Sequence, residues 1–122
     1  QKLMDEYAGG STVNYMTNDK LLSIGLKKLK ILEEDLLKIG AKDIHELLRA
    51  WELMHRHRAS ESVLQHTLFR KETRWPGYYY RGDAMKLDDK NWHVLTVSRR
   101  DPETGEYTME KAPCYHIVGE DE

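Results

Sequence analysis

Leucines recur along TNDKLLSIGLKKLKILEEDLLKIG at a spacing that a helix gathers onto one face. Leu22, Leu26, Leu29, Leu32 and Leu36 make a continuous stripe among charged residues. Thr17 or Asn18 offers a side-chain oxygen to cap the first amides, and Gly40 is placed to stop the helix. Glu34 and Lys38, four residues apart, are spaced for an exposed ion pair worth about 0.3–0.5 kcal/mol, so these charges read as a solvated face. A second helix is predicted from Asp43, with Glu46 three residues on to close a capping box. Ile44, Leu47, Leu48, Trp51, Met54, Ser62 and Phe69 track one face, and no Gly or Pro interrupts before Pro76. About thirty residues at ~1.5 Å each give a rod of roughly 45 Å.

Ahead of these helices, Leu3, Met4, Tyr7 and Ala8 share a helical face, and Gly9-Gly10 follows where a left-handed cap belongs. The segment reads as the last turns of a helix whose upstream part is missing, since two isolated turns are unstable in water. Two long helices joined by a short turn lie antiparallel and need a third wall, which this first helix supplies. Beyond Pro76 the period changes. WHVLTVS and YTMEK alternate as strands do, around the turn DPETGE, and predict a hairpin; the tail VGEDE is acidic and expected to fray. The expected fold is mainly α: a three-helix, spectrin-repeat-like bundle over residues 1–75, with an irregular segment and β-hairpin over 76–122.

Composition narrows the function classes. The chain has 122 residues, 19 basic against 21 acidic side chains, and a net charge of -2, which gives no electrostatic case for a nucleic-acid or anionic-membrane binder. No apolar run approaches the ~20 residues of a membrane span. The single cysteine, Cys114, excludes an internal disulfide and fits a reducing compartment, the cytoplasm.

Candidate chemistry is sparse. His55 and His57 stand two apart on a helix and point to nearly opposite sides; Cys114 and His116 share a strand face without a partner pair, so no metal site is expected. No GxSxG, GxGxxG or GxxxxGK[ST] occurs, so neither a serine nucleophile nor a phosphate cradle is expected. Asp88-Asp89 reads better as a helix or turn cap than as an acid-base pair. The triplet Arg81 to Asp83 matches the cell-adhesion tripeptide by chance. RWPGYYYR is the one run rich in interface chemistry, with tyrosines that bury rings while their hydroxyls stay wet and arginines that stack and fork to carboxylates. The same rings could equally close the end of the bundle.

Taken together, FRKETRWPGYYYRGDAMKLDDKNWHVLTVSRRDPETGEYTMEKAPCYHIV, the helix RAWELMHRHRASESVLQHTLFRKETRWPGYYYR and the segments QKLMDEYAGG and TNDKLLSIGLKKLK resemble the C-terminal region of the flavoprotein alpha subunit of dissimilatory adenylylsulfate reductases. The wider fumarate reductase and succinate dehydrogenase flavoproteins share an Arg-x-Glu-Ser-Arg-Gly element and an Asp-Asp-x-x-Trp stretch. Here these fall on Arg70, Glu72, Thr73 and Arg74, and on Asp88, Asp89, Asn91 and Trp92. Trp75-Pro76-Gly77 departs from the dehydrogenases' Gly-Ala-His and favours the sulfur enzymes.

The resemblance implies a longer parent that uses FAD to reduce adenylylsulfate to sulfite and AMP. Electrons would come from a beta subunit carrying 4Fe-4S clusters. It implies no catalytic, cofactor-binding or metal residue in this chain. The expected role is a brace for the flavin domain, with Arg74, Trp75, Tyr78, Tyr79, Tyr80, Arg81 and Trp92 packing against the parent's flavin domain or the beta subunit. A free-standing interaction module using the same Tyr/Arg surface is the alternative.

Overall fold

The computed structural model describes residues 1–115; the acidic tail and His116 lie outside the described residues. Three helices carry the fold. α1 spans Lys2–Tyr7, α2 Asp19–Leu36 and α3 Ile44–Phe69. Asn18, not Thr17, caps α2: its Oδ1 accepts the Leu21 amide at 2.9 Å. Asp43 Oδ1 accepts from the amides of His45 and Glu46, both at 2.9 Å, and caps α3. The reciprocal half of the box is displaced by one residue, because Glu46 Oε2 accepts from the Lys42 amide.

Two helix expectations need correction. α2 stops at Leu36 rather than running to Gly40: the chain tightens there, with Lys38 N donating to the Asp35 carbonyl and Ile39 N to that of Leu36. Lys38 accordingly pairs with Asp35 at 3.5 Å, not with Glu34. The predicted apolar face of α3 is also only partly interior. His57 and Leu64 are the buried residues of that helix, whereas Ile44, Leu47, Leu48, Trp51 and Met54 are exposed.

The core lies where all three helices meet. Leu22, Leu29 and Leu64 are buried, with Leu3, Met4, Ala8, Leu26 and Leu68 packed around them. Burial of each such leucine contributes about 1.5–3 kcal/mol. Gly25 permits the close approach: a β-carbon there would sit 3.1 Å from Tyr7 Cβ and 3.4 Å from Leu64 Cδ1. His57 faces the Leu29 carbonyl at 2.8 Å through Nε2, so that nitrogen carries a proton and donates it.

A 3-10 turn at Ser11–Val13 leads to the short strand β1, Met16–Thr17. Far along the chain, Tyr80–Arg81 forms β2 and pairs with it in parallel, Met16 against Tyr80 and Thr17 against Arg81. A short helix, α4, follows at Asp89–Trp92, capped by Asp88, whose Oδ1 accepts the Asn91 amide. β3 (Val94–Arg100) and β4 (Tyr107–Pro113) then make the antiparallel hairpin. Its half-buried face rests on α3, where Thr96 and Ser98 flank the two ring nitrogens of His66 at 3.0 and 2.9 Å. Near the turn, Arg100 comes within 4 Å of both Glu33 and Glu61, which also hold Arg58.

Candidate interface site

Two charged clusters fix the segment that follows α3. In the first, Arg81 enters the interior by way of β2 and is wholly buried. Its guanidinium caps the C-terminus of α3, donating through Nη1 to the carbonyls of Thr67 and Arg70, the latter at 2.9 Å. These carbonyls have no amide partner within the helix, and a cation complements the negative end of its dipole. On its other edge the guanidinium meets the Asp83 carboxylate in a two-bonded fork, 3.0 Å at each contact, and also donates to Asp19. Asp83 in turn accepts the Asp19 amide at 3.1 Å, in the first turn of α2, where the dipole favours an anion. One ion pair thus joins the start of α2 to the end of α3.

The charges are stabilised by this arrangement. Hydrogen bonding to Arg81 outweighs desolvation and holds the Asp83 carboxyl far below the usual range. Burial alone would lower the pKa of Arg81, but the bond to Asp83 and the nearby charges raise it overall. Thr73 completes the cluster: its hydroxyl accepts the Arg81 amide at 3.0 Å and donates to the Ala84 carbonyl at 2.9 Å. Thr17 is buried beside it, with its hydroxyl donating to the Tyr7 carbonyl at 2.6 Å.

The second cluster centres on Glu72, which is 1% exposed. Its Oε1 accepts from Arg70 at 2.5 Å and Arg74 at 2.7 Å, and its Oε2 from Arg74 at 3.1 Å and the Asp88 amide at 3.0 Å. Desolvation opposes ionisation here, yet Arg74, the Asp88 amide and Arg70 together lower the Glu72 pKa. Arg74 continues to Asp89 at 2.9 Å, and Arg70 to the carbonyls of Trp92 and Val94. The Arg-x-Glu-Thr-Arg and Asp-Asp-x-x-Trp stretches are therefore two halves of one clamp. Trp92 is buried at its edge, with Phe69 edge-on at 5.5 Å and Lys111 Nζ 3.6 Å from the ring centre.

Between the clusters the chain bulges outward. Gly77 adopts φ +92°, a conformation that glycine accepts without strain, and the amides of Tyr78 and Tyr79 both donate to the Trp75 carbonyl. Tyr80 lends its hydroxyl oxygen to the Gly77 amide at 2.8 Å. Trp75 is left 69% exposed and Tyr78 83% exposed. Tyr79 turns inward beside Thr67 and Arg70, at the rim of a small cavity of about 150 Å³ that His66 and Thr96 also line. Its buried hydroxyl has no hydrogen-bond partner, and burial pushes its pKa up to about 12.

The seven expected interface residues are thus divided. Arg81 and Trp92 are internal supports, Arg74, Tyr79 and Tyr80 are half-buried, and Trp75 and Tyr78 face outward. Burial of Arg81 also withdraws the arginine of the adhesion-like triplet from the surface, although Gly82 and Asp83 stay exposed. Asp19 carries no signal in the sequence, where an acidic residue in a first helical turn looks like ordinary dipole compensation, and Asp83 stands out there only as the end of the adhesion-like triplet. Among the described residues no three His, Cys, Asp or Glu side chains group closely enough to hold a metal, and no helix is long and apolar enough to cross a membrane.

The model describing the C-terminal region of the fumarate reductase flavoprotein matches residues 1–117. The chain belongs to that family. Among members of this fumarate reductase flavoprotein family, it is 44% identical over 120 residues to adenylylsulfate reductase subunit alpha from Megalodesulfovibrio gigas. That alignment covers 98% of this chain and 18% of the relative, so the chain spans under a fifth of that protein's length. The solved structure of adenylylsulfate reductase from Archaeoglobus fulgidus superposes with a TM-score of 0.94 at 50% identity, over 98% of this chain and 18% of that one. A structure of adenosine-5-phosphosulfate reductase in complex with sulfite gives the same values. Quinol fumarate reductase from E. coli has the same fold, with a TM-score of 0.81 at 23% identity over 97% of this chain and 20% of that one.

Proposed function

We propose that these residues form the C-terminal brace of an adenylylsulfate reductase alpha subunit. The parent would use FAD and two electrons, delivered by a beta subunit with 4Fe-4S clusters, to convert adenylylsulfate to sulfite and AMP in the cytoplasm. The observation that carries the reading is 44% identity sustained over 98% of the chain to such an alpha subunit. Within the brace, residues 1–75 are the helical bundle, and 76–122 are the tail that packs on it and on the rest of the parent.

The chain itself does not fit either redox group. FAD binding by a dinucleotide fold needs a glycine-rich strand-to-helix turn, and none of the described strands leads into one. A 4Fe-4S cluster takes four thiolates, and the chain has one cysteine. Its contribution is positional. The two ion clusters hold the Trp75–Tyr78 bulge on a rigid base, so its rings can bury against a facing surface without loss of backbone freedom.

Enzymology of the full-length polypeptide, produced with its beta subunit, tests this directly. Sulfite and AMP should form from adenylylsulfate, while residues 1–122 alone should be inactive and colourless. Turnover of fumarate in place of adenylylsulfate, or turnover by the 122-residue chain alone, would overturn the assignment.

A further inference from the structure

The β3–β4 hairpin is seated on the rest of the molecule mainly by polar contacts. Thr96, Ser98 and Arg100 on β3, and Tyr107, Met109 and Lys111 on β4, face inward, and of these six only Met109 is wholly apolar. Leu95 and Val97 alternate to the other face and are 57% and 37% exposed. Among the described residues 94–113 none is buried. Space also opens beneath the hairpin on both sides. The small cavity of His66 and Tyr79 reaches Thr96 of β3, and an open groove of about 530 Å³ runs between Leu68, Phe69 and Trp92 and the Met109 and Lys111 side chains of β4.

The two ends of the hairpin are held very differently. At the α4 end, Arg70 donates to the carbonyls of Trp92 at 2.9 Å and Val94 at 2.7 Å, and Lys111 donates to that of Asn91 at 2.8 Å with its ammonium over the Trp92 ring. At the turn end, Arg100 stands 3.8 Å from Glu33 and 3.6 Å from Glu61, and the Tyr107 hydroxyl reaches Glu61 at 3.5 Å. Arg58 of α3 holds the same two carboxylates at 2.7 and 3.1 Å. Arg100 is thus their more distant partner, and its buried Nε makes no hydrogen bond among the described residues. Release of the turn end leaves both carboxylates bonded to Arg58 and lets water reach the Arg100 Nε, so it costs little. Between the ends, His66 meets only the hydroxyls of Thr96 and Ser98, which water can replace.

We propose that the hairpin is a detachable flap, hinged where Arg70 and Lys111 pin it and latched at the turn by Arg100, with ionic strength setting how often the latch releases. Salt screens the long, partly exposed ion pairs of Arg100. The hydrogen bonds to backbone carbonyls at the hinge are short and persist. Opening bares Phe69 and Met109. Phe69 stands five helical turns along α3 from the exposed Trp51, so the open state lengthens one apolar face of that helix. The device needs neither a substrate nor a partner, and it stands apart from the reading of the chain as part of an adenylylsulfate reductase.

A detached hairpin is a two-stranded ribbon, marginal in water, so its amides exchange when it lifts. Hydrogen exchange of the 122-residue chain, read peptide by peptide at about 20 mM and about 1 M sodium chloride, decides the matter. At low salt, peptides within 94–113 should exchange about 100-fold faster than those within 57–64 of α3. At high salt the hairpin should exchange about fivefold faster again while α3 is unchanged. Arg100→Met should give the high-salt hairpin rate at low salt and remove the salt response. Arg99→Met, on the outer face beside Glu110, should alter neither. Hairpin amides as slow as those of α3, a hairpin rate independent of salt, or acceleration of hairpin and α3 alike by Arg100→Met would overturn the proposal.

Discussion

A single guanidinium carries an unusual share of this structure. Arg81 is wholly buried between two carboxylates and the terminal carbonyls of α3, so removing it leaves charged and polar groups stranded together. Arg81→Met should cost about 3–5 kcal/mol in urea denaturation, the range for breaking one side of a buried ion pair. Arg81→Lys should recover only a minor part, because a lysine cannot fork to Asp83 while reaching the helix carbonyls. Glu72 and Asp83 add a pH dependence whose direction is fixed. Both have folded-state pKa values below their ordinary 4.5 and 3.8. Their contribution is therefore complete above those ordinary values and is lost as pH falls towards the depressed folded-state values. Stability should stay level from neutral to about pH 5 and decline below it. Glu72→Gln should lower the plateau and flatten the decline, as measured by urea midpoints across pH 2–7.

At the scale of elements, the seam made by Gly25 is the most exposed to test. Gly25→Leu would push a side chain into Tyr7 and Leu64, and should destabilise the chain by about 1–3 kcal/mol despite a better helix propensity. The loss should show first as faster amide exchange in α1, which that contact seats. The elements themselves were largely legible. The leucine stripe of α2, the Asp43 and Asp88 caps, and the alternation on either side of DPETGE are local signals, and local signals survive in a sequence. The parallel β1–β2 bridge was not legible, because strands of two residues, with both long helices between them in the chain, carry no period. Nor was the exposure of Trp51 and its neighbours, since an apolar stripe announces a buried face without saying what buries it. The candidate site was legible in part for the same reason. Arg70, Glu72 and Arg74 stood out as a motif, but the retreat of Arg81 and Trp92 into the interior depends on Asp19 and Lys111, which are distant in the chain.

For the whole molecule, the division of RWPGYYYR into supports and projecting rings makes the interface idea specific. Trp75→Ala with Tyr78→Ala should leave the stability of the 122-residue chain within about 0.5 kcal/mol, since neither ring is packed within it. In the proposed full-length alpha subunit the same pair should weaken association with the proposed beta subunit, or docking on the proposed flavin domain, by at least about tenfold, as expected for exposed aromatic anchors. The flavin absorbance should be unchanged. Unaltered assembly together with a lost flavin spectrum would assign the bulge to cofactor retention instead.

The Asp83 carboxylate that secures the first amide of α2 lies 64 positions further along the chain. A ribosome completes both long helices before it adds the residues that stitch their open ends together. Nascent chains arrested before Tyr80 should therefore be cut readily by protease between Met16 and Asp19, and become resistant once Asp83 has emerged. Translation speed through that interval would then govern how much of the product escapes aggregation.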